Sequence, residues 1–285
     1  MTIFDITPMN IQQFIQNALA EDVGNGDHTS LACIPPDAMG SAKLLIKEAG
    51  IIAGVELAVQ ICQVVDANLQ VQVLIPDGTP VQPGNIGLTV AGSKQSILKA
   101  ERLLLNCMQR MSGIATLTNR YVQAINGANA RILDTRKTTP GFRYFEKWAV
   151  RLGGGHNHRM GLYDMVMIKD NHHDYCGGIV NALHRTRQYL THNRLPLQVE
   201  IEVRNLQELE LVLQTGMADR IMFDNFDVPT TRRAVEMVNG QYETESSGGI
   251  TLQTVRGYAQ TGVDFISVGE LTHSYKSMDI SLKAV

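Results

Sequence analysis

Apolar positions recur with different periods along the chain, and each period marks a region. From Asn10 to Ala20 the apolar residues Ile11, Phe14, Ile15, Ala18 and Leu19 form the stripe of a short amphipathic helix. It stops in Glu21-Asp22-Val23-Gly24-Asn25-Gly26-Asp27, whose glycines mark a turn. Ala42, Leu44 and Ile46 then alternate with longer polar side chains, and Val71 to Ile75 is β-branched and alternating. With Pro76-Asp77-Gly78 and Pro83-Gly84 as punctuation, these read as strands of a small sheet. From about Lys94 to Ile125 the spacing turns helical, with Leu104, Met108, Met111 and Ala115 on one face. The interruption at Gly113 favours two helices there.

After Ala130 the pattern becomes regular. Short β-rich runs begin near Arg131, Met165, Gln198, Arg220, Gln241 and Asp264, and all but the last lead into a helix-compatible segment. Parallel neighbours need crossovers, and helical crossovers predict a parallel α/β sheet or barrel with helices outside. Six units fall short of the eight of a complete barrel, which takes about 250 residues. The expectation is an incomplete α/β barrel beside an N-terminal α+β domain. No solenoid repeat or low-complexity tract is visible.

Composition narrows the class. With 285 residues, 44% of them apolar, the chain has material for a real core and is not disordered. The opening MTIFDITPMN does not read as a signal peptide, and no apolar stretch is long enough to span a bilayer. Cys33, Cys62, Cys107 and Cys176 are isolated, which points to reduced thiols in a cytoplasm. The net charge of −3 gives no case for a nucleic acid or membrane partner.

That total hides an uneven distribution. Residues 131–169 hold eight cations against three anions, an excess of five. Barrel active sites lie at the carboxyl ends of the strands, so the residues after each predicted strand form one rim. Arg136 and Lys137 come after RILD, Lys169 follows MVMI, and Asp224 and Asn225 follow RIMF. Cations concentrated there suit a small multiply charged anion. Arg143, Lys147 and Arg151, four apart on the segment FRYFEKWAVRL, read instead as a solvated helix face.

Other rim features support the same chemistry. Gly153, Gly154 and Gly155 precede His156, His158 and Arg159; an anion-cradling loop, a lid and a plain linker would all use such glycines. Zinc ligation by His156 and His158 lacks a third ligand at suitable spacing. The turns SSGGI at 246–250 and SVGELTHS at 267–274 fit phosphate binding by backbone N–H groups after the last strands. Glu202 and Asp224, from adjacent strands, suit a hydroxylated, metal-chelated substrate, with ion pairing to nearby lysines as the alternative. Glu200 shares the strand face of Glu202 one layer deeper and is expected to be structural.

The strings EDVGNGDHTS (21–30), DTRKTTPGFR (134–143), GGGHNHRMGLYDMVMIKDNH (153–172), IMFDNF (221–226), ESSGGI (245–250) and ISVGELTHS (266–274) resemble the quinolinate phosphoribosyltransferase family, in order along nearly the whole chain. The resemblance implies a type II phosphoribosyltransferase, converting quinolinate and phosphoribosyl pyrophosphate to nicotinate mononucleotide, pyrophosphate and CO₂ with Mg²⁺ in NAD biosynthesis. It implies no organic cofactor. It also implies an N-terminal α/β sandwich domain over 1–112, completed by 274–285, joined to an open barrel of six to seven strands over 113–273. The molecule is then a cytoplasmic homodimer or hexamer with shared active sites. By matching motifs, Arg136, His158, Arg159 and Lys169 would surround the quinolinate carboxylates, with Arg102 supplied by a second subunit. Lys137, Lys169, Glu202, Asp224, Ser247, Gly248, Gly269 and His273 would hold phosphoribosyl pyrophosphate and its metal. Lys137, Lys169, Glu202 and Asp224 would be catalytic, and Glu202 and Asp224 the metal ligands. The acidic pair inside an apolar strand that marks type I transferases is missing, and Glu21-Asp22 imitates it at a helix end.

The residue types suit that chemistry: adjacent carboxylates need fixed cations, and an oxocarbenium-like state needs a nearby carboxylate. Three alternatives stay open from the residues: a related transferase for another anionic heterocycle, a non-catalytic phosphate sensor, and a phosphate-binding barrel isomerase.

Overall fold

The structure is a computed structural model and describes residues 10–285. The opening segment 1–9, read above for a leader, lies outside the described residues. No described helix is long and apolar enough to cross a membrane. The chain divides into two compact units.

The first unit comprises the described residues up to Asn119 with Thr139–Gly154 and Ser274–Val285. Its sheet is antiparallel and four-stranded, in the order Ile280–Ala284, Met39–Ile46, Ile86–Ser93, Gln70–Val73. The C-terminal strand closes one edge, with Leu44 opposite Leu282. Alternation along Met39–Ile46 buries Ala42, Leu44 and Ile46, and the helix Val55–Val65 contributes Leu57 and Ile61 to the core. The helix Ile11–Val23 runs through Glu21 and Asp22, both exposed, and ends at Gly24, whose φ of +55° no side chain obstructs.

Two expectations fail in this unit. Lys94–Ala124 is one helix of 31 residues, and Gly113 does not divide it. A Cβ at Gly113 would collide with the Lys276 carbonyl oxygen, so glycine serves a close approach of two backbones. The helix Arg143–Leu152 belongs to the first unit although it follows the first barrel strand, and its cationic row is solvated only in part. At 100° per residue its buried positions sweep roughly 200°, which takes in Lys147. Lys147 is fully buried, Arg143 half-buried and Arg151 exposed.

The second unit, Arg120–Thr138 and Gly155–His273, is built on six parallel strands. Their order is Arg131–Leu133, Phe265–Ser267, Glu243–Ser247, Arg220–Asp224, Val199–Val203, Val166–Ile168. Beyond the first of these, His156 forms a single parallel bridge to Leu133. The two end strands do not pair with each other, so the barrel is open. Strands begin within two residues of the positions read from the pattern, and a short helix, Glu270–His273, follows even the last. Val199–Val203 is buried on both faces, as a covered parallel strand must be. Its period of two sends Glu200 and Glu202 to one face and Val199, Ile201 and Val203 to the other.

Candidate active site

One cavity of about 640 Å³ opens at the carboxyl ends of these strands. Arg136 and Lys137 enter it from the loop after Arg131–Leu133, and His158 and Arg159 from the loop that bridges that strand. Lys169, Glu202 and Asp224 come from the ends of the three strands in the far half of the sheet, Val166–Ile168, Val199–Val203 and Arg220–Asp224. Ser247, Gly248, Gly269 and His273 form a second wall, from the ends of the two strands that lie between those three and Arg131–Leu133. Met167, Met222 and Ile250 give it apolar surface. Arg102 does not line it: it is exposed on the helix Lys94–Ala124, in the first unit. Gly153, Gly154 and Gly155 do not line it either. A Cβ at Gly153 would strike the Ala115 carbonyl oxygen, so this glycine serves helix packing rather than an anion.

The cationic wall is held from behind. Asp134, fully buried, accepts the His158 N–H at 2.9 Å and the Asn157 amide, and its own N–H donates to the His156 carbonyl at 3.1 Å. His158 Nδ1 accepts the Arg159 N–H at 2.7 Å, so Nε2 carries the ring hydrogen, 2.9 Å from Glu200 Oε2 and 3.5 Å from Glu245 Oε2. Arg159 donates from Nη1 to the Met165 carbonyl at 3.2 Å. Burial and the Arg136 guanidinium press Arg159 below the ordinary arginine range, against the opposing carboxylates of Glu200 and Asp164. Arg136 Nε is buried with no protein partner. Two guanidiniums that repel each other, one with an unmet donor, form a receptor for a bound anion.

The other wall works through backbone geometry. Gly248 has φ +97° and Gly249 φ +60°, and a Cβ on Gly248 would collide with the Asn225 side chain. Asn225, itself at φ +56°, donates its N–H to the Ser247 carbonyl at 2.9 Å and its amide to Asp224 Oδ2 at 2.8 Å. A Cβ on Gly269 would lie 3.0 Å from His273 Nε2 and 3.3 Å from Lys137 Cδ. Thr272 Oγ1 donates to the Lys137 carbonyl at 2.8 Å, fixing that loop against the last one. Between the walls, Lys169 Nζ lies 2.7 Å from Glu202 Oε2; the lysine is nearly half exposed and the glutamate almost buried.

Among the described residues, the trio with three potential ligand atoms within 4.8 Å of one another is His158, Glu200 and Glu245. It is buried and contains a nitrogen donor, poor attributes for Mg²⁺. Glu202 and Asp224 offer hard carboxylate oxygens at the cavity surface, where magnesium also keeps waters and substrate phosphates. That donor set fits Mg²⁺.

Sequence reasoning passed over Glu245 and Glu270 as cavity residues. Asn225 reads as a rim residue, directly after a strand, but without a role. Glu245 had no signal, because it reads as the polar last residue of a strand before the turn SSGGI, whereas the structure buries it completely.

The C-terminal domain model of quinolinate phosphoribosyl transferase matches residues 114–283 and the N-terminal domain model matches 27–112. The chain belongs to the quinolinate phosphoribosyltransferase family. Among family relatives, it is 49% identical to nicotinate-nucleotide pyrophosphorylase [carboxylating], chloroplastic, of Arabidopsis thaliana, over 96% of this chain and 82% of that protein. The probable nicotinate-nucleotide pyrophosphorylase [carboxylating] of Bacillus subtilis is 39% identical over 96% and 93%. The fold agrees with that of NadC from Streptococcus pyogenes, with a TM-score of 0.92 and 36% identity over 99% of each chain. It agrees equally with the nicotinate-nucleotide pyrophosphorylase of Francisella tularensis, with a TM-score of 0.92 and 37% identity over the whole of both chains. The family's N-terminal domain and C-terminal α/β barrel are thus the architecture of this chain.

Proposed function

We propose that this quinolinate phosphoribosyltransferase family member converts quinolinate and phosphoribosyl pyrophosphate to nicotinate mononucleotide, pyrophosphate and CO₂, a step of NAD biosynthesis. The observation that carries the reading is the Arg136–Arg159 pair, mutually repelling and with an unmet donor, in the same cavity as the glycine-bounded wall. Quinolinate brings two adjacent carboxylates to the cations, and Met167 and Met222 give the pyridine an apolar surface. Arg136, His158, Arg159 and Lys169 form the dicarboxylate side. Lys137, Ser247, Gly248, Gly269 and His273 take the phosphoribosyl pyrophosphate.

The ring nitrogen attacks the anomeric carbon as the bond to pyrophosphate breaks. Glu202 and Asp224 stabilise the positive charge that develops on the sugar, and Lys137 and Lys169 neutralise the leaving group. Glu202 and Asp224 would also hold Mg²⁺, which supplies further neutralisation of pyrophosphate charge. Ribosylation makes the ring a pyridinium. The bond from its second carbon to the carboxyl carbon then breaks, CO₂ leaves, and the electron pair remaining on the ring takes one proton. The ring is its own electron sink, so no organic cofactor enters.

Arg102, exposed on its helix, completes the site of a second copy in a homodimer, which a hexamer would repeat. The four unpaired cysteines support a reducing compartment, the cytoplasm. Mixing Arg102→Ala with Arg159→Ala protein tests the shared site: hybrid dimers regain partial turnover if sites are shared, and no regain contradicts it. The activity itself is tested by supplying both substrates with Mg²⁺ and detecting mononucleotide and CO₂ by mass spectrometry.

A further inference from the structure

Beneath the cationic wall lies a polar network that the mechanism above does not use. Glu245 is fully buried on the strand Glu243–Ser247, at the base of the cavity, and Glu200 is fully buried on Val199–Val203. Both carboxylates face the His158 imidazole, at 3.5 and 2.9 Å. Arg220 Nη1 stands 3.3 Å from Glu245 Oε2, and its guanidinium is stacked 4.0 Å above the Phe265 ring, so the glutamate is anchored from the far side. The opposite ring nitrogen, Nδ1, accepts the Arg159 N–H. Nδ1 of His158 is therefore hydrogen-bonded and Nε2 stands within ion-pair distance of both carboxylates, so the imidazole couples the carboxylates to the backbone of Arg159.

We propose that Glu245 is a positioning residue for the dicarboxylate half of the cavity: with Glu200 it fixes the His158 imidazole, and through that ring it sets Arg159 in place before substrate arrives. Buried carboxylates behind an anion receptor are a poor choice for attraction, since they repel the ligand. They suit preorganisation, because the empty receptor holds two guanidiniums that repel each other, and the Glu200 carboxylate opposes that repulsion at Arg159. The phosphoribosyl pyrophosphate wall is fixed by other contacts, Gly248 against Asn225 and Thr272 against Lys137. The effect of Glu245 is accordingly confined to one substrate.

This inference rests on the quinolinate reading of the cavity. Calorimetric titration of the full-length protein with quinolinate and, separately, with phosphoribosyl pyrophosphate and Mg²⁺ tests it. Glu245→Met is expected to weaken quinolinate about tenfold while phosphoribosyl pyrophosphate changes less than about threefold, the mark of lost preorganisation. In a His158→Ala background the same substitution is expected to add nothing, because its effect passes through the imidazole. Glu245→Gln, which keeps size and one acceptor, is expected to restore most of the affinity. Equal losses for both substrates, or an undiminished effect without His158, would show a general structural role and overturn the proposal. If Glu245→Met does not fold, Glu245→Gln carries the test: quinolinate weakened about threefold with the other substrate unchanged supports it, and affinities equal to wild type overturn it. Wild-type protein that binds phosphoribosyl pyrophosphate but not quinolinate would overturn the quinolinate reading and this inference together. Normal wild-type binding with no selective loss in the variants overturns this inference alone.

Discussion

Arg136, His158 and Arg159 present side-chain charge to the cavity from one wall, whereas Ser247, Gly248 and Gly269 bound it from the other with short side chains and backbone. The first wall has a cost: its guanidiniums repel each other, and buried carboxylates at Asp134, Glu200 and Glu245 stand behind it. The second needs no counter-charge, only main chain held in left-handed conformations with room where a Cβ would otherwise lie. The difference teaches which substitution each wall can bear. Removing charge damages the first wall, and adding a single carbon damages the second.

The largest effect is expected from Arg136→Ala or Arg159→Ala. Either should raise the quinolinate KM about 100-fold, since a hydrogen bond to a charged group contributes roughly 1.5–3 kcal/mol and 1.4 kcal/mol is tenfold. Steady-state kinetics should show the phosphoribosyl pyrophosphate KM little changed and the melting temperature near wild type. Equal KM increases for both substrates would erase the division between the walls.

Gly248→Ala is the complementary change. It places a Cβ on Asn225 and forces alanine to φ +97°, strain on the order of 1–3 kcal/mol. The phosphoribosyl pyrophosphate KM should rise about tenfold and the melting temperature fall by several degrees, with the quinolinate KM spared. Wild-type kinetics in this variant would remove the backbone wall from the account.

The floor beneath the cations gives a pH signature. Burial pushes Glu245 up to about 7, with Glu200 raising it further and His158 and Arg220 opposing. A carboxyl whose folded pKa is raised binds its proton more tightly when folded, so its contribution to stability is lost as pH rises from the ordinary glutamate range to about 7. Denaturant titrations should show this decline in wild type and a flatter profile in Glu245→Gln; identical profiles would contradict the burial argument. The smallest effect belongs to Arg151→Ala. This cation is exposed and absent from the cavity, so kinetics within about twofold of wild type are expected, as for an ordinary surface substitution.

Much of this site was legible before the fold was known, for a physical reason. Short β-rich runs with helical spacers place the residue after each run on one rim, so Arg136, Lys137, Lys169 and Asp224 could be found from local pattern alone. The parts that escaped depend on distant chain. Gly113 looks like a helix break, and only the approach of Lys276 shows why glycine stands within a continuous helix. Lys147 looks like a surface cation, and its burial depends on a helix that belongs with the first unit rather than the second. Glu245 looks like the polar end of a strand until Arg220, from the neighbouring strand, and His158, from a loop, arrive.

The central claim is that one cavity receives a pyridine dicarboxylate and phosphoribosyl pyrophosphate together. The most direct measurement follows product formation with Mg²⁺, phosphoribosyl pyrophosphate and quinolinate labelled in its 2-carboxyl group, beside a parallel reaction with nicotinate. The account predicts one labelled CO₂ released per nicotinate mononucleotide formed from quinolinate, and little mononucleotide from nicotinate, which lacks the second carboxylate. Mononucleotide made as readily from nicotinate, or none made from quinolinate, would contradict it.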